Sequence, residues 1–458
     1  MACAPMGDPA AVFKAYDVRG LVPEEFDVDL ARSIGGAYAR LVRAEEPETT
    51  TVAVSRDMRS SGEGLSAAFT AGVTAQGLAV FDIGLASTDM LYFASGHLGV
   101  PGAVFTASHN PAGYNGIKMC LSYARPIGID TGLGLIRDDV LGGVGVADTG
   151  RTGTVTTVEL LDEFAGHVRS FVDVSVLRPL RVVADTANGM GGLVVPAVFE
   201  ALPVELEVLF PELDGTFPNH PADPLQPANL IDLRDRVLAT GADVGLAFDG
   251  DADRVFLVDE RAQPVSGTLT TALVARSVLR RNPGATIVHN LICGSVVPEV
   301  IAESGGRAVR TRVGHSFIKA VMAEEEAAFG GEHSGHYYFR DNWCADSGLV
   351  AALIVLEELS TSGGTLSGLL EPFDRYAASG EINTSVGDPA AVIDRVAQHY
   401  AGSPQDRLDG LTVEPGGWWF NLRPSNTEPL LRLNLEAADA ESCATRVAEV
   451  RALIDAAA

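Results

Sequence analysis

The chain has 458 residues, enough for about three domains that each bury a core, which excludes a single small module. Its formal net charge of -27 argues against nucleic acid or an anionic membrane as a partner, because binding to either requires a basic surface. The five cysteines are widely scattered and form no C-x-x-C pair, so we expect reduced thiols rather than a zinc site or a redox couple.

The sequence shows no signal for export or membrane insertion. The first twenty residues lack a basic start followed by an apolar stretch. The longest apolar run, near Gly348 to Leu356, is far shorter than a membrane span and predicts a buried helix. We therefore expect a cytoplasmic protein.

The first part of the chain alternates short apolar strands with helical patterns. TVAVSRD (51–57) and LAVFDIG (78–84) read as strands around a helix near 64–76, and GAVF then leads into TASHNP. This rhythm predicts an α/β domain over residues 1–150 with a parallel or mixed sheet.

The alternation of strands and helices begins again after a glycine-rich stretch around 142–153. A second α/β unit is expected over residues 151–260 and a third over 261–370, the latter with a long helix ending near Glu326. From residue 371 to 458 the pattern changes to mixed strand and helix, and FNLRPSNTEPLLRLNLEA alternates like an antiparallel strand.

Each α/β unit presents a polar loop directly after an apolar strand. These loops are TASHNP, DGDADR and GEHSGH. Because ligands of open α/β sheets gather beyond the carboxyl ends of strands, we expect the three loops and the last domain to converge on one cleft.

The DGDADR loop places Asp249, Asp251 and Asp253 at alternate positions of a tight turn. Carboxylate oxygens so spaced suit Mg²⁺ or Ca²⁺, and without a cation they would repel one another. The spacing imitates the start of an EF-hand, but Arg254 stands where that loop requires glycine, and a strand follows instead of a helix. Magnesium is the preferred interpretation, with a solvated acidic turn as the alternative.

Ser108 in TASHNP follows the end of a strand and precedes a proline-glycine turn that leads to Lys118. Alone, this pattern also fits a capped turn, and the sequence contains no G-x-S-x-G nucleophile motif. A phosphate on this serine would supply an anionic oxygen to a three-aspartate magnesium site. Lys118 is one of only three lysines in an arginine-rich chain, which raises the question of whether a titratable amine is required here.

The segment LRPSNTEP is rich in phosphate donors, although a surface loop with incidental arginines is the alternative. Arginine offers a bidentate fork, and the hydroxyls and turn amides add further donors. The candidate phosphate-binding residues are Arg423, Ser425, Asn426, Thr427 and Arg432. In GEHSGH, Glu332 and Ser334 suit sugar hydroxyls, and His336 ends the motif.

Seven motifs in this order, YDVRG, TASHNP, NGIK, DGDADR, VGHS, GEHSGH and RPSNTEP, resemble the α-D-phosphohexomutase family over nearly the whole chain. The resemblance implies three related mixed α/β domains and a smaller α+β C-terminal domain around a central cleft. It also implies that Ser108 carries the transferable phosphate and that Asp249, Asp251 and Asp253 bind Mg²⁺ together with a phosphoserine oxygen.

The same resemblance assigns further roles. Arg19, His109, Lys118 and Arg254 would surround the phosphoserine, with Lys118 and His315 as the candidates for proton transfer. Arg423 and its neighbours in RPSNTEP would hold the phosphate that does not react. Glu332 and Ser334 would contact the 3- and 4-hydroxyls of the sugar, and the 2-position would be recognised only weakly. Mannose and glucose phosphates would then both be substrates, because the two sugars differ at that position.

The resemblance further implies a hexose 1,6-bisphosphate as activator and intermediate, and a monomer or a dimer. GEHSGH and VGHS resemble the phosphomannomutase/phosphoglucomutase branch, whereas the phosphoglucosamine branch usually carries GEQSGH. One departure is that HNLICGSVVP (289–298) holds no Lys or Arg where relatives often have a basic residue, a gap that Arg312 is a candidate to fill. A phosphoglucosamine mutase and a catalytically silent phosphosugar-binding protein are the alternatives.

Overall fold

The computed structural model describes residues 8–145, 152–424 and 430–457. Within these described residues, four sheets follow one another, and helices pack on them. Three of the sheets are mixed, and the last is wholly antiparallel. The expected fold, three related α/β units and a smaller α+β domain, is confirmed.

The first sheet has the strand order β1-β5-β4-β2-β3-β7, with β6 paired to β5. Its strands are β1 (Val18–Leu21), β2 (Thr51–Arg56), β3 (Ala79–Leu85), β4 (Gly102–Phe105), β5 (Tyr114–Leu121), β6 (Arg125–Pro126) and β7 (Val155–Thr157). Its helices are α1 (Val28–Glu45), α2 (Gly62–Ala75), α3 (Thr88–Leu98) and α4 (Gly134–Leu141). Since β7 pairs in parallel with β3, this sheet extends beyond the boundary expected at residue 150.

The second sheet has the order β12-β11-β10-β8-β9. Its strands are β8 (Arg181–Asp185), β9 (Glu205–Leu209), β10 (Val244–Phe248), β11 (Val255–Asp259) and β12 (Pro264–Val265). The helices of this part are α5 (Leu161–Arg169), α6 (Gly191–Phe199) and α7 (Ile231–Thr240). Strands β10 and β11 are buried along their whole length, which explains their continuous apolar sequence.

The third sheet has the order β14-β13-β15-β16-β17. Its strands are β13 (Thr286–Asn290), β14 (Arg307–Thr311), β15 (Phe329–Gly331), β16 (Tyr337–Phe339) and β17 (Ala345–Asp346). The helices are α8 (Gly267–Arg281), α9 (Val296–Glu303), α10 (His315–Glu324), α11 (Gly348–Ser362) and α12 (Leu366–Leu370). The long helix expected to reach Glu326 is thus only ten residues in length.

The last sheet has the order β18-β22-β21-β20-β19. Its strands are β18 (Ala377–Ser385), β19 (Gln405–Asp406), β20 (Leu411–Val413), β21 (Trp418–Pro424) and β22 (Leu430–Ala437), and helices α13 (Pro389–His399) and α14 (Ala440–Ala457) accompany them. The antiparallel pairing of β21 with β22 agrees with the alternation of the sequence around Arg423 and Arg432.

Helix α11 is buried on every side over most of its length, as its uniformly apolar sequence predicts. It packs on α8, α5 and β11, and thereby joins the second and third units into one core. Its N-terminus is capped by the Ser347 hydroxyl, which accepts from Val350 N.

In the described part of the chain, no single helix is long and apolar enough to cross a membrane. Only α11 and the segment Leu366–Phe373 together, with a bend of 97° between them, have the length and composition of a membrane span.

The three polar loops occupy the same topological position in the three mixed sheets. Each connects a parallel strand to its antiparallel neighbour: β4 to β5, β10 to β11, and β15 to β16. The strand orders β5-β4-β2-β3, β11-β10-β8-β9 and β16-β15-β13-β14 are equivalent. The three related α/β units that the family resemblance implies therefore share one topology.

Candidate active site

Ser108 and Asp249 bring the first two loops into direct contact. The Ser108 hydroxyl donates to Asp249 Oδ2 at 2.7 Å, although 141 residues separate the two in sequence. Ser108 has a φ of 48°, in the left-handed region that non-glycine residues seldom adopt. A Cβ on Gly250 would lie 2.4 Å from the Ser108 carbonyl oxygen, so only glycine permits this approach of the two loops.

The three aspartates form one compact, buried cluster. Ligand oxygens of Asp249, Asp251 and Asp253 all lie within 4.8 Å of one another. Among the described residues, Asp251 Oδ1 and Asp253 Oδ1 are buried and make no hydrogen bond. Unpaired carboxylate oxygens are costly to bury, and a hard cation with oxygen ligands would satisfy them. The residues therefore fit a divalent ion such as Mg²⁺.

Lys118 lies against the same cluster, on β5. Its ammonium group is 2.7 Å from Asp251 Oδ2 and 2.6 Å from Asp253 Oδ2. Burial alone would lower the pKa of Lys118, but the two carboxylates raise it well above its usual value. Lys118 is therefore protonated in this state and acts as a counter-ion to the aspartates.

The aspartates differ in their electrostatics. Burial raises the pKa of Asp249 to about 8 against the opposing effect of Arg254, whose Nε lies 2.8 Å from Asp249 Oδ2. Burial also raises the pKa of Asp253, and the neighbouring Asp251 charge adds to this. For Asp251 burial acts in the same sense, but Lys118 outweighs it and holds the pKa well below the usual range.

His109 and Arg254 lie beside Ser108. One terminal nitrogen of Arg254 donates to His109 Nδ1 at 2.7 Å and lies 3.3 Å from Ser108 Oγ. Burial, followed by the Arg254 charge, lowers the pKa of His109 well below its usual value. The imidazole is therefore neutral here and accepts a hydrogen bond, while Arg254 carries the positive charge next to Ser108.

Arg19, on β1, is held at the edge of the Ser108 loop. It donates to Asn110 Oδ1 at 2.6 Å and pairs with Asp17. Tyr16, which precedes this pair, donates through its hydroxyl to Val313 O at 3.1 Å. The YDVRG motif thus connects the first unit to the VGHS segment of the third.

The third loop faces the aspartate cluster. His336 Nε2 lies 3.7 Å from Asp253 Oδ1 and 3.9 Å from Asp346 Oδ2. Glu332 is buried and accepts from Asn290, from Gly314 N and from the Tyr338 hydroxyl at 2.8 Å. Ser334 Oγ is hydrogen-bonded to His336 Nδ1 at 3.2 Å.

Arg423 and Arg432, in the last domain, lie opposite each other in the β21–β22 pair. Like charges in such a position repel each other, and the negative charge of Glu381, on β18, offsets this repulsion. Its carboxylate is 2.7 Å from an Arg423 terminal nitrogen and 3.1 Å from an Arg432 terminal nitrogen. One carboxylate therefore holds both guanidinium groups of the predicted phosphate site.

Some predicted residues lie outside what the structure describes. Ser425, Asn426 and Thr427 fall in the gap 425–429, and the side chain of His315 is likewise outside the described part. Arg312, the candidate to fill the missing basic position, is exposed and has its guanidinium 4.4 Å from the centre of the Phe317 ring. His289 at the start of that stretch is buried, and burial lowers its pKa to about 4.

Sequence reasoning missed several residues that shape the site. Thr88 donates to Asp251 Oδ2 at 2.6 Å, and Arg59 donates to the carbonyl of Ser108 at 2.9 Å. Glu381 and Tyr16 were also not singled out. Each acts through a partner far away in sequence, and no local pattern marks such a contact.

Comparisons with known proteins bear on the whole chain. Four sequence models of phosphoglucomutase/phosphomannomutase domains match it: domain I at residues 10–137, domain II at 162–263, domain III at 266–376 and the C-terminal domain at 381–453. The chain belongs to the phosphoglucomutase/phosphomannomutase family.

Individual relatives in this family are similar along nearly their full length. A protein of Xanthomonas campestris pv. campestris described as "Phosphohexose mutases" is 42% identical over 451 residues, covering 96% of this chain and 98% of the relative. A phosphomannomutase of Escherichia coli K12 is 41% identical over 437 residues, covering 93% and 94%. The crystal structure of a phosphoglucomutase/phosphomannomutase family protein from Burkholderia thailandensis has a TM-score of 0.89 and 32% identity, covering 98% of each chain.

Proposed function

We propose that this enzyme is a phosphomannomutase/phosphoglucomutase, which interconverts hexose 1-phosphate and hexose 6-phosphate through a phosphoserine at Ser108 and a hexose 1,6-bisphosphate. The observation that carries the proposal is the contact of Ser108 Oγ with Asp249 inside a cluster of three aspartates. It lies in a chain that matches all four domain models of the family. Mannose and glucose phosphates are the proposed substrates.

The chemistry needs two phosphoryl transfers. In the first, the bond between Ser108 Oγ and phosphorus breaks, and a bond forms from phosphorus to the free hydroxyl of the bound hexose monophosphate. The bisphosphate then turns in the cleft, and its other phosphate passes back to Ser108 Oγ. Positioning and charge stabilisation supply most of the catalysis in reactions of this type.

Asp249, Asp251, Asp253 and a phosphate oxygen on Ser108 are the proposed ligands of Mg²⁺. When bound, this ion would withdraw electron density from the phosphoryl group. Arg254 and Arg19 then add positive charge beside the loop that carries the phosphate. His109, neutral and hydrogen-bonded to Arg254, orients that guanidinium group.

The protonated state of Lys118 suggests its role. An ammonium group can give a proton to the departing Ser108 oxygen, and it can regain that proton when the phosphate returns. The sequence left the acid and the base unassigned between Lys118 and His315; with Lys118 as the acid, His315 is proposed as the acceptor of the proton from the sugar hydroxyl. His336 is a second candidate, because its imidazole lies beside Asp253 and Glu332.

Binding is proposed to involve the remaining predicted residues. Arg423 and Arg432, with Ser425, Asn426 and Thr427, would hold the phosphate that does not react. Glu332 and Ser334 would contact the 3- and 4-hydroxyls of the sugar.

The four cysteines that the structure describes as free thiols agree with the proposed cytoplasmic location. A monomer or a dimer remains the expected assembly.

The test is to follow conversion of mannose 1-phosphate to mannose 6-phosphate with Mg²⁺ and a trace of glucose 1,6-bisphosphate. Glucose and glucosamine phosphates are assayed in parallel, and Ser108→Ala is compared with Ser66→Ala, a serine of α2 whose hydroxyl bonds to Glu63 O. We expect turnover of mannose and glucose phosphates that is lost in Ser108→Ala alone, with phosphosugar binding retained.

Other outcomes would identify the alternatives. Turnover of glucosamine phosphate without turnover of mannose or glucose phosphates would indicate a phosphoglucosamine mutase. Binding of phosphosugars without any turnover after priming with the bisphosphate would indicate a silent binding protein. Equal turnover by Ser108→Ala and the wild type would exclude the phosphoserine route.

A further inference from the structure

Arg59 lies beneath the Ser108 loop, between β2 and α2, and its side chain is almost completely buried. Its two terminal nitrogens donate to four backbone carbonyls of that loop. The acceptors are Ser108 O at 2.9 Å, Asn110 O at 2.6 Å, Pro111 O at 2.8 Å and Tyr114 O at 2.9 Å.

The fifth donor of the guanidinium group is also satisfied. Arg59 Nε donates to Asp57 Oδ2 at 3.2 Å, and Asp57 Oδ1 accepts from the backbone nitrogen of Arg59. All five N–H groups of this planar fork therefore have acceptors, and Asp57 balances the buried charge. A lysine ammonium has only three donors and no planar arrangement, so it cannot reproduce this pattern.

The contact with Ser108 falls on a strained backbone position. A serine at a φ of 48° is strained, and such a backbone conformation persists only where the surroundings enforce it. The Ser108 carbonyl is enclosed by Arg59 on one side and by Gly250 of the aspartate loop on the other. This enclosure fixes the backbone that directs Ser108 Oγ towards Asp249.

A segment of the second unit covers the arginine from outside. The Phe217 ring centre lies 5.1 Å from the Arg59 guanidinium carbon, within range of a cation–π contact. A Cβ on Gly215 would lie 2.7 Å from Arg59 Cα, which shows how closely this segment packs. The hydrogen bonds of Arg59 are therefore shielded from water.

We propose that Arg59 is a positioning residue for phosphoryl transfer, which holds the phosphoserine loop in the one arrangement that favours transfer to a sugar hydroxyl over transfer to water. This inference rests on the proposed mutase function. Hydrolysis breaks the same bond between Ser108 Oγ and phosphorus, but a water oxygen forms the new bond and inorganic phosphate is released. A loop that loses its alignment slows transfer to the sugar and leaves the phosphate more open to water.

The experiment compares Arg59→Lys with the wild type after priming with labelled glucose 1,6-bisphosphate. We expect kcat to fall about tenfold to a hundredfold with KM changed by less than about threefold, since small misplacements of reacting groups cost rates of this order. We also expect the ratio of inorganic phosphate released to phosphate transferred to rise by about tenfold. Thermal unfolding is recorded for each variant.

Arg169→Lys is the matched control, because Arg169 on α5 likewise donates to two backbone carbonyls, Ala197 O and Val198 O, away from the Ser108 loop. We expect this control to keep the wild-type partition between water and sugar. The inference would be overturned if Arg59→Lys kept the wild-type kcat and the wild-type ratio of phosphate released to phosphate transferred. It would also be overturned if the fall in kcat only followed a fall in thermal stability.

A second variant, Phe217→Leu, tests the inference if Arg59→Lys does not fold. Exposing the guanidinium group should weaken its hydrogen bonds and raise the hydrolysis ratio in the same direction, and an unchanged ratio would contradict the role of Arg59. The wild type separates the two proposals. If the wild type turns over phosphohexoses and the Arg59 and Phe217 variants behave like it, only the inference about Arg59 fails. If the wild type has no mutase activity, the proposed function and the inference about Arg59 both fail.

Discussion

Lys118 and Asp253 form a buried ion pair, with 2.6 Å between the ammonium nitrogen and Asp253 Oδ2. The same ammonium also contacts Asp251 at 2.7 Å. Two of the three predicted metal ligands therefore share one positive charge, which comes from a side chain of the first unit. A divalent ion and Lys118 must share these carboxylates, so each should weaken the binding of the other.

Lys118→Met should separate the two effects of this lysine. We expect kcat to fall by about a hundredfold, because the proton donor is lost, and the half-saturating Mg²⁺ concentration to fall as well, because a competing cation is removed. A Mg²⁺ titration of mutase activity measures both. Lys14→Met, whose ammonium bonds to Ala11 O, is the control, and a rise in the half-saturating concentration for Lys118→Met would contradict the prediction.

Asp251→Asn should shift the metal requirement in the opposite direction. Asp251 Oδ1 is buried without a hydrogen-bond partner among the described residues, as expected of a metal ligand. We expect the half-saturating Mg²⁺ concentration to rise by about tenfold or more. Asp232→Asn, an exposed change in the first turn of α7, should leave the titration unchanged. An unaltered titration for Asp251→Asn would remove this residue from the coordination sphere.

Arg423→Lys should weaken binding of the phosphate that does not react. A lysine keeps the charge but loses the fork that contacts Glu381 and is predicted to hold phosphate. We expect KM to rise about tenfold, or about 1.4 kcal/mol, with both hexose 1-phosphate and hexose 6-phosphate, since either phosphate occupies this site in turn. Arg446→Lys on α14 is the control. An increase confined to one substrate would contradict a shared site.

Asp89→Asn should change the pH dependence of stability. Asp89 is buried between the hydroxyls of Ser87 and Ser347, and burial raises its pKa to about 7. Because the folded-state pKa lies above the unfolded value of 3.8, the protonated form is favoured on folding. Its stabilising contribution is complete below the unfolded pKa and is lost as the pH rises through about 7.

The variant has no carboxyl to ionise at this position. The free energy of unfolding of Asp89→Asn relative to wild type should therefore increase between pH 4 and 7, with a slope of up to about 1.4 kcal/mol per pH unit, and then level off. Denaturant unfolding at a series of pH values measures this difference. Asp232→Asn should show no such slope, and a flat difference for Asp89→Asn would contradict the assignment.

Sequence reasoning was most successful where the chemistry is local. The DGDADR turn places three carboxylates within five residues, so Asp249, Asp251 and Asp253 could be grouped without knowledge of the fold. The alternation of strands and helices likewise predicted three α/β units, because each unit repeats the same short-range pattern. The uniformly apolar run after Gly348 predicted the buried helix α11 for the same reason.

Long-range contacts could not be predicted in this way. Arg59 reads in the sequence as a surface residue of a polar turn, and only the return of the chain at residues 108–114 makes it a buried donor. The same holds for Glu381, which faces two arginines more than forty residues away. β7 was left out of the first unit because its pairing with β3 crosses more than seventy residues.

The three reactive loops lie on three successive sheets, and this arrangement restricts when activity can arise. A chain still being synthesised can complete the first sheet and present Ser108 long before Asp249 and Glu332 exist. Such a fragment holds a serine without the carboxylates that would activate a phosphate on it. We therefore expect incomplete or truncated chains to be inert towards sugar phosphates, and we expect activity to arise only after the three units have folded together.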